Sequence, residues 1–256
     1  MNHKVLSHKE SFNIILSKLR GGKPFTFTRF GDGDHIIMYK ESLGKIVGGG
    51  NKFFVTPELQ REIIECYNVE DENFIVSTML NDLFPHQMMH TESKIYHSKL
   101  PQELVERKNM LAMSCLFETL LEDVEGFIEF SKEMRKTTTM FVCNYNHENI
   151  SKVYGDVRVF INVPIRNSYS SIDVWYEEIL RRADEADKII LSAGFSSRVV
   201  AKRLWKEGVG KVVLDVGSLS DAFIFHTEIR KKIQGRKFMM RVEKRMRANV
   251  NILLNK

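Results

Sequence analysis

The sequence predicts an α/β fold in which a mostly parallel sheet is covered by helices on both faces. Strand-like apolar runs alternate with helical periodicity along the chain. The last two runs, "KIILSA" and "KVVLDV", are continuous rather than alternating, as in strands buried on both sides. Polar Gly-, Ser- and Asp-containing turns follow these runs, where an open parallel sheet meets its ligands. The expected architecture is Rossmann-like: one domain over residues 1–256, with a core from about 22 to 225 and a basic helical extension from about 226 to 256.

"SHKE" forms a capping box, Ser7 serving an early backbone donor and Glu10 reaching back, and predicts a helix to about Arg20, ended by "GGKP". "PFTFTRF" alternates as a pleated strand and gives out into "GDGD", expected as a turn. "GGGN" at 48–51 is a further turn. "TPELQREIIECYN" predicts a helix with Thr56 as its cap and Pro57 in the first helical position. "NFIVSTML" (73–80) reads as a buried strand, followed by the loop "NDLFPHQMMH" and a long helix from near Pro101. Further strands are expected at 138–143, 157–163, 188–193 and 211–216, with helices at 170–186 and 196–207.

With 43% hydrophobic residues the chain has ample material for a core. No stretch approaches the roughly 18 apolar residues of a membrane span, and the N-terminal segment lacks the apolar block of a secretory signal, so a soluble cytoplasmic protein is expected. Cys66, Cys115 and Cys143 lie far apart in apolar surroundings and read as buried free thiols. The formal charge of +5 is uneven. From residue 228 to the end, ten basic residues face Glu228 and Glu243, so this segment carries +8 and the rest −3. Such a tail suits a solvated helix, a second copy of the chain, an anionic membrane surface or nucleic acid.

Several polar groups fall at strand ends: Asp32 and Asp34, Asp82, Arg166 with Asn167, Gly194 with Ser196 and Ser197, and Asp215 with Asp221. On an extended segment positions i and i+2 project from one side, so Asp32 and Asp34 together would address a hard cation, Mg²⁺ or Mn²⁺, leaving its other positions to water and diphosphate oxygens. Gly31 and Gly33 permit the turn and leave room for a bulky anion. "SAGFSS" joins a strand to a helix whose first amides, with Ser196 and Ser197, suit phosphate, assisted by Arg198. Phe30, Tyr169 and Phe195 are candidates to cover a nucleobase, whereas Trp175, Tyr176 and Ile179 recur at helical spacing as core. No G-x-G-x-x-G, P-loop, nucleophile elbow or metal-ligating histidine spacing occurs; His86, His90 and His97 read as loop and surface residues.

These residues, in this order, resemble the glycosyltransferases of the GT-D fold type, a bacterial and viral group first known as a domain of unknown function. "TRFGDGD" looks like the R-F-G-D-G-E segment of that family, with Asp34 for glutamate. "VPIRNSYSSIDVWYEEIL" resembles its I-P-x-K-N-A stretch, with Arg166 for lysine, and the run from Lys188 to Phe223 is similar to its closing strand, Gly-turn, helix, strand and D-x-G run. The similarity spans about 25 to 225 and is weakest from about 80 to 135.

The resemblance implies a Mn²⁺- or Mg²⁺-dependent transfer of sugar from a nucleoside diphosphate donor, a UDP-sugar or similar, to a glycan or glycoprotein hydroxyl. Asp32 and Asp34 would hold the metal. Arg29, Phe30, Gly31, Gly33, Arg166, Asn167, Gly194, Ser196 and Ser197 would bind the donor, and Asp215, Asp82 or Asp221 would act as base, Asp215 being the first choice. A nucleotide-sugar-binding subunit without catalysis is a second reading. A nucleic-acid binder using the basic tail ranks last, because no recognised module accompanies it.

Overall fold

The computed structural model describes residues 6–39, 44–48, 51–78, 110–111, 123–146, 148–217, 219–220, 251–252 and 255. Helix α1 (His8–Gly21) starts on the capping box: the Ser7 hydroxyl accepts from the Glu10 amide at 3.2 Å, and Glu10 Oε2 accepts from the Ser7 amide at 2.8 Å. It ends at Gly22, whose φ of 64° is the left-handed geometry that favours glycine. Strand β1 (Thr26–Phe30) follows, and then the first departure from expectation: "GDGD" is no turn but the start of helix α2 (Asp32–Tyr39). A hairpin of β2 (Gly44–Gly48) and β3 (Asn51–Val55), which the sequence reading missed, leads to α3 (Pro57–Tyr67). That helix is capped by Thr56, whose Oγ1 accepts from the Leu59 amide at 3.1 Å.

Strand β4 (Phe74–Thr78) forms as expected. The long helix expected from near Pro101 does not run through Met110–Leu111, which form a short strand, β5, beside β4; the rest of its span up to residue 122 lies outside the described residues. Helix α4 (Val124–Met134) is capped by Asp123, whose side chain accepts from the Gly126 amide. There follow β6 (Thr139–Cys143), α5 (Glu148–Tyr154), β7 (Val157–Asn162), a 3₁₀ turn at Ser168–Ser171, α6 (Ile172–Arg182), β8 (Lys188–Ser192), α7 (Ser196–Lys206) and β9 (Val212–Asp215).

Seven strands form one sheet in the order β5-β4-β1-β9-β8-β6-β7, with every pairing parallel. Alternate strand residues point to opposite faces. Phe141 and Ile190 pack with Phe12, Phe130 and Tyr154 from α1, α4 and α5. Their neighbours Met140, Val142, Ile189 and Leu191 pack with Ile63, Trp175 and Leu204 from α3, α6 and α7. Each such large side chain contributes about 1.5–3 kcal/mol when fully buried, so the continuous apolar runs of β6 and β8 serve two layers at once. Trp175 and Ile179 are core, as their spacing predicts. Cys66 and Cys143 are buried free thiols; Cys115 lies outside the described residues.

Right-handed crossovers dictate which layer each helix joins. The β6–α5–β7 connection runs outward on one face, whereas β7–α6–β8 and β8–α7–β9 run back on the other. Connections therefore diverge between β6 and β8, and a crevice for a ligand is expected beyond the carboxyl ends of these two strands. Among the described residues no helix is long and apolar enough to cross a membrane.

Candidate functional site

Three turns meet at the carboxyl edge of the sheet, after β1, β8 and β9, and Arg198 joins them. Its guanidinium lies in the first turn of α7 with 6% of the side chain exposed. Nη2 donates to Asp34 Oδ2 at 2.9 Å, while Nη1 donates to the Gly194 carbonyl at 2.7 Å and lies 3.1 Å from Asp215 Oδ2. The directed Nη1 bond goes to the carbonyl, and Asp215 Oδ2 has no hydrogen bond of its own, so the contact with Asp215 is ionic. Asp34 Oδ2 also accepts from the Gly31 amide at 2.8 Å, and Asp215 Oδ1 from the Gly217 amide at 3.1 Å. Arg29 completes the cluster. It is 9% exposed and donates through Nη1 to the Val216 carbonyl at 3.3 Å.

Burial dominates the electrostatics. It pushes the Asp34 carboxyl up to about 6 against the opposing pull of Arg198 and the Gly31 amide. It also raises Asp215, again against Arg198 and then Arg29. The Cys66 thiol, in α3 near the same charges, is raised well above the ordinary thiol range by burial. Two guanidinium groups thus face two buried carboxylates.

Close approach explains two glycines. A Cβ at Gly217 would lie 2.7 Å from Arg29 Cζ, and the residue has a φ of 49°. A Cβ at Gly33 would lie 2.9 Å from the Phe195 ring, which thereby rests on the first turn of α2. Beside this lies a second assembly of hydroxyls. Ser168 Oγ donates to the Ala193 carbonyl at 3.0 Å and lies 2.8 Å from Ser196 Oγ, and Ser197 Oγ accepts from the Ala193 amide at 2.9 Å. The segment from Pro164 to Asn167 is exposed just before it, and Asn167 is left-handed with a φ of 53°.

Several expectations need correction. Asp32 and Asp34 lie in the first turn of a helix rather than on an extended segment, so the one-sided i, i+2 geometry from which the cation cradle was expected does not apply to them. Asp34 is turned into the protein, with Oδ1 buried and without a hydrogen-bond partner. Among the described residues no group of three or more His, Cys, Asp or Glu gathers. Phe30 covers no base; it is fully buried, edge-on to Tyr67 with ring centroids 4.9 Å apart. Ser196 and Ser197 are buried, their hydroxyls spent inside the protein, and α7 begins without a side-chain cap. Asp215 is fully buried and holds Arg198 rather than facing a substrate.

Arg29, Gly31, Gly33 and Gly194 do come together, while Arg166 and Asn167 reach the same edge on the exposed loop. Asp82 and Asp221 lie outside the described residues, as do His86, His90, His97 and all but a few residues of the basic tail. Arg198 as the hub was missed, because its partners are 164 and 17 residues away and nothing local announces them. The sequence reading placed Arg198 only as an aid to phosphate binding, four residues after Gly194 in the turn that follows β8.

No protein-family model and no curated protein matches the chain. Solved structures do. A selenomethionine-substituted structure of domain of unknown function 1792 superposes with a TM-score of 0.61 at 16% identity, covering 84% of this chain and 78% of that one. A structure described as a new glycosyltransferase of the same domain, from Streptococcus sanguinis, gives 0.58 at 22%, covering 84% and 81%. A third, described as a highly conserved domain with a distinct glycosyltransferase fold, gives 0.61 at 16%, covering 84% and 78%. The chain thus has the fold of these domains, the GT-D type that its motifs resemble.

Proposed function

We propose that the protein is a glycosyltransferase that moves a sugar from a nucleoside diphosphate donor, a UDP-sugar or similar, to a hydroxyl of a glycan or glycoprotein acceptor. The observation that carries this reading is the fold, shared over 84% of the chain with structures described as glycosyltransferases. The site is chemically suited to it. Departure of a diphosphate concentrates negative charge, and the amino termini of α2 and α7 both point their partial positive charge toward this edge. Arg166 on the exposed loop adds a full charge, while Arg29, fixed on the Val216 carbonyl, adds its field from below. Because Asp215 is buried, the base that takes the acceptor proton is assigned to Asp82 or Asp221. Dependence on Mn²⁺ or Mg²⁺ is a separate part of the reading, and its carrier narrows to Asp32, at the first position of α2.

Thermal unfolding with UDP, other nucleoside diphosphates and their sugars, with Mn²⁺ or with EDTA, tests both parts. A ligand that prefers the native state at a hundred times its Kd stabilises by about 2.7 kcal/mol, and so raises the Tm by about 5–10 °C for a chain of this size. If no nucleoside diphosphate moves the midpoint under either condition, the donor reading is wrong; an equal shift in EDTA removes the metal. A second reading, a nucleotide-sugar-binding subunit without catalysis, is favoured by the burial of Asp34 and Asp215. Donor binding with no release of UDP from any UDP-sugar, across a broad acceptor panel, would select it.

A further inference from the structure

The loop that carries Arg166 and Asn167 is exposed, yet the turn behind it is tied to three elements. Ser168 Oγ binds the Ala193 carbonyl, and the Ser168 carbonyl accepts from Trp175 Nε1 at 3.1 Å. The Tyr169 hydroxyl donates to Glu62 Oε2 of α3 at 2.7 Å. Arg203 of α7 grips the same carboxylate through two hydrogen bonds, Nε to Oε1 at 3.0 Å and Nη2 to Oε2 at 3.1 Å, and extends Nη1 to Asp173 of α6 at 2.6 Å. Glu62 keeps only 13% of its side chain exposed. The fold thus spends a partly buried, charge-assisted network on one short 3₁₀ turn beside the β6/β8 crevice.

We infer that Tyr169 is a positioning residue: held by Glu62 and Arg203, it fixes the Ser168–Ser171 turn so that Arg166 and Asn167 stand over the Gly194 turn, where the diphosphate of the donor binds. This rests on the donor reading above. Core packing alone does not require the hydroxyl, because it is the ring of Tyr169 that packs against the core, and a phenylalanine would keep that contact. The left-handed Asn167 also needs an anchor, since a backbone geometry unfavourable to a side chain persists only where its surroundings hold it.

Calorimetric titration of UDP in Mn²⁺, beside the Tm of each variant, separates positioning from mere structure. Tyr169→Phe loses a single hydrogen bond to a carboxylate that Arg203 still holds; it is expected to weaken UDP binding about tenfold while the Tm falls by about 3–6 °C. Glu62→Gln keeps an oxygen for the tyrosine but loses the charge facing Arg203 and Lys202. It is expected to lower the Tm more, yet hold UDP affinity within about twofold. Affinity that follows Tm in both variants, or a Tyr169→Phe protein that binds UDP as tightly as the wild type, overturns the inference and leaves the donor reading intact. A wild-type protein that binds none of UDP, GDP, ADP, CDP and TDP overturns both.

Discussion

Two buried cations at opposite edges of the sheet are stabilised in different ways. Arg198, at the carboxyl edge, lies between Asp34 and Asp215. Lys188, at the amino edge where β8 begins, is 2% exposed and bonds only to neutral oxygens: the Thr137 carbonyl and hydroxyl, each at 2.7 Å, and the Thr138 carbonyl at 3.4 Å. Among the described residues no carboxylate lies within ion-pair distance of it. The difference teaches what each edge is for. Neutral oxygens close a strand start and hold nothing else in place. Opposed charges fix the directions of side chains from three separate turns, which is what a binding edge needs.

The largest expected effect comes from breaking the charged edge. Arg198→Met leaves two buried carboxylates without the guanidinium that lies between them, each keeping only a backbone amide and the field of Arg29, and should lower unfolding stability by about 3–5 kcal/mol in a urea titration. Adding Asp34→Asn and Asp215→Asn should recover part of that loss. No recovery would mean that the guanidinium acts through packing rather than charge.

Next is the neutral edge. Burial lowers the Lys188 ammonium from 10.5 to about 8. A lysine that gives up its proton more easily when folded penalises the folded state fully below pH 8, and the penalty fades as pH rises toward 10.5. The wild type should therefore gain about 2–3 kcal/mol relative to Lys188→Met across that window. Parallel stability curves for the two proteins would show that the carbonyls fully replace water for this ammonium.

The smallest effect compares two glycines. Gly217 and Gly208 both have positive φ, at 49° and 66°, but only Gly217 faces an obstacle, the Arg29 guanidinium; Gly208 has open space. Gly208→Ala should cost about 1 kcal/mol from backbone strain alone, and Gly217→Ala about 2 kcal/mol, with weaker UDP binding as Arg29 is displaced. Equal losses would mean that Arg29 moves aside freely.

Much of the fold was legible because its signals are local. Caps announce α1 and α3, with Ser7 and Glu10 at one and Thr56 and Pro57 at the other, and doubly buried apolar runs announce β8 and β9. Helix α2 was hidden because its first turn contains Gly33 between two aspartates, a composition that favours turns. The hairpin was hidden by its glycines, and the expected helix past Pro101 gave way at β5, whose pairing with β4 is a long-range choice. The site was legible as a set of strand ends but not as chemistry. Whether Asp34 meets a cation or an arginine depends on Arg198, and whether Phe30 meets a base or Tyr67 depends on α3. Such pairings are decided by tertiary packing, which no local spacing encodes.

The two silent sulfurs lie on opposite sides of the sheet, Cys66 in the layer of α3 and α7 and Cys143 in the layer of α1, α4 and α5. Neither can meet an alkylating reagent until its own layer lifts away. In a Cys115→Ser background, their separate labelling rates would time the breathing of the layer of α3 and α7 against that of the opposite one, giving a built-in clock for each half of the molecule.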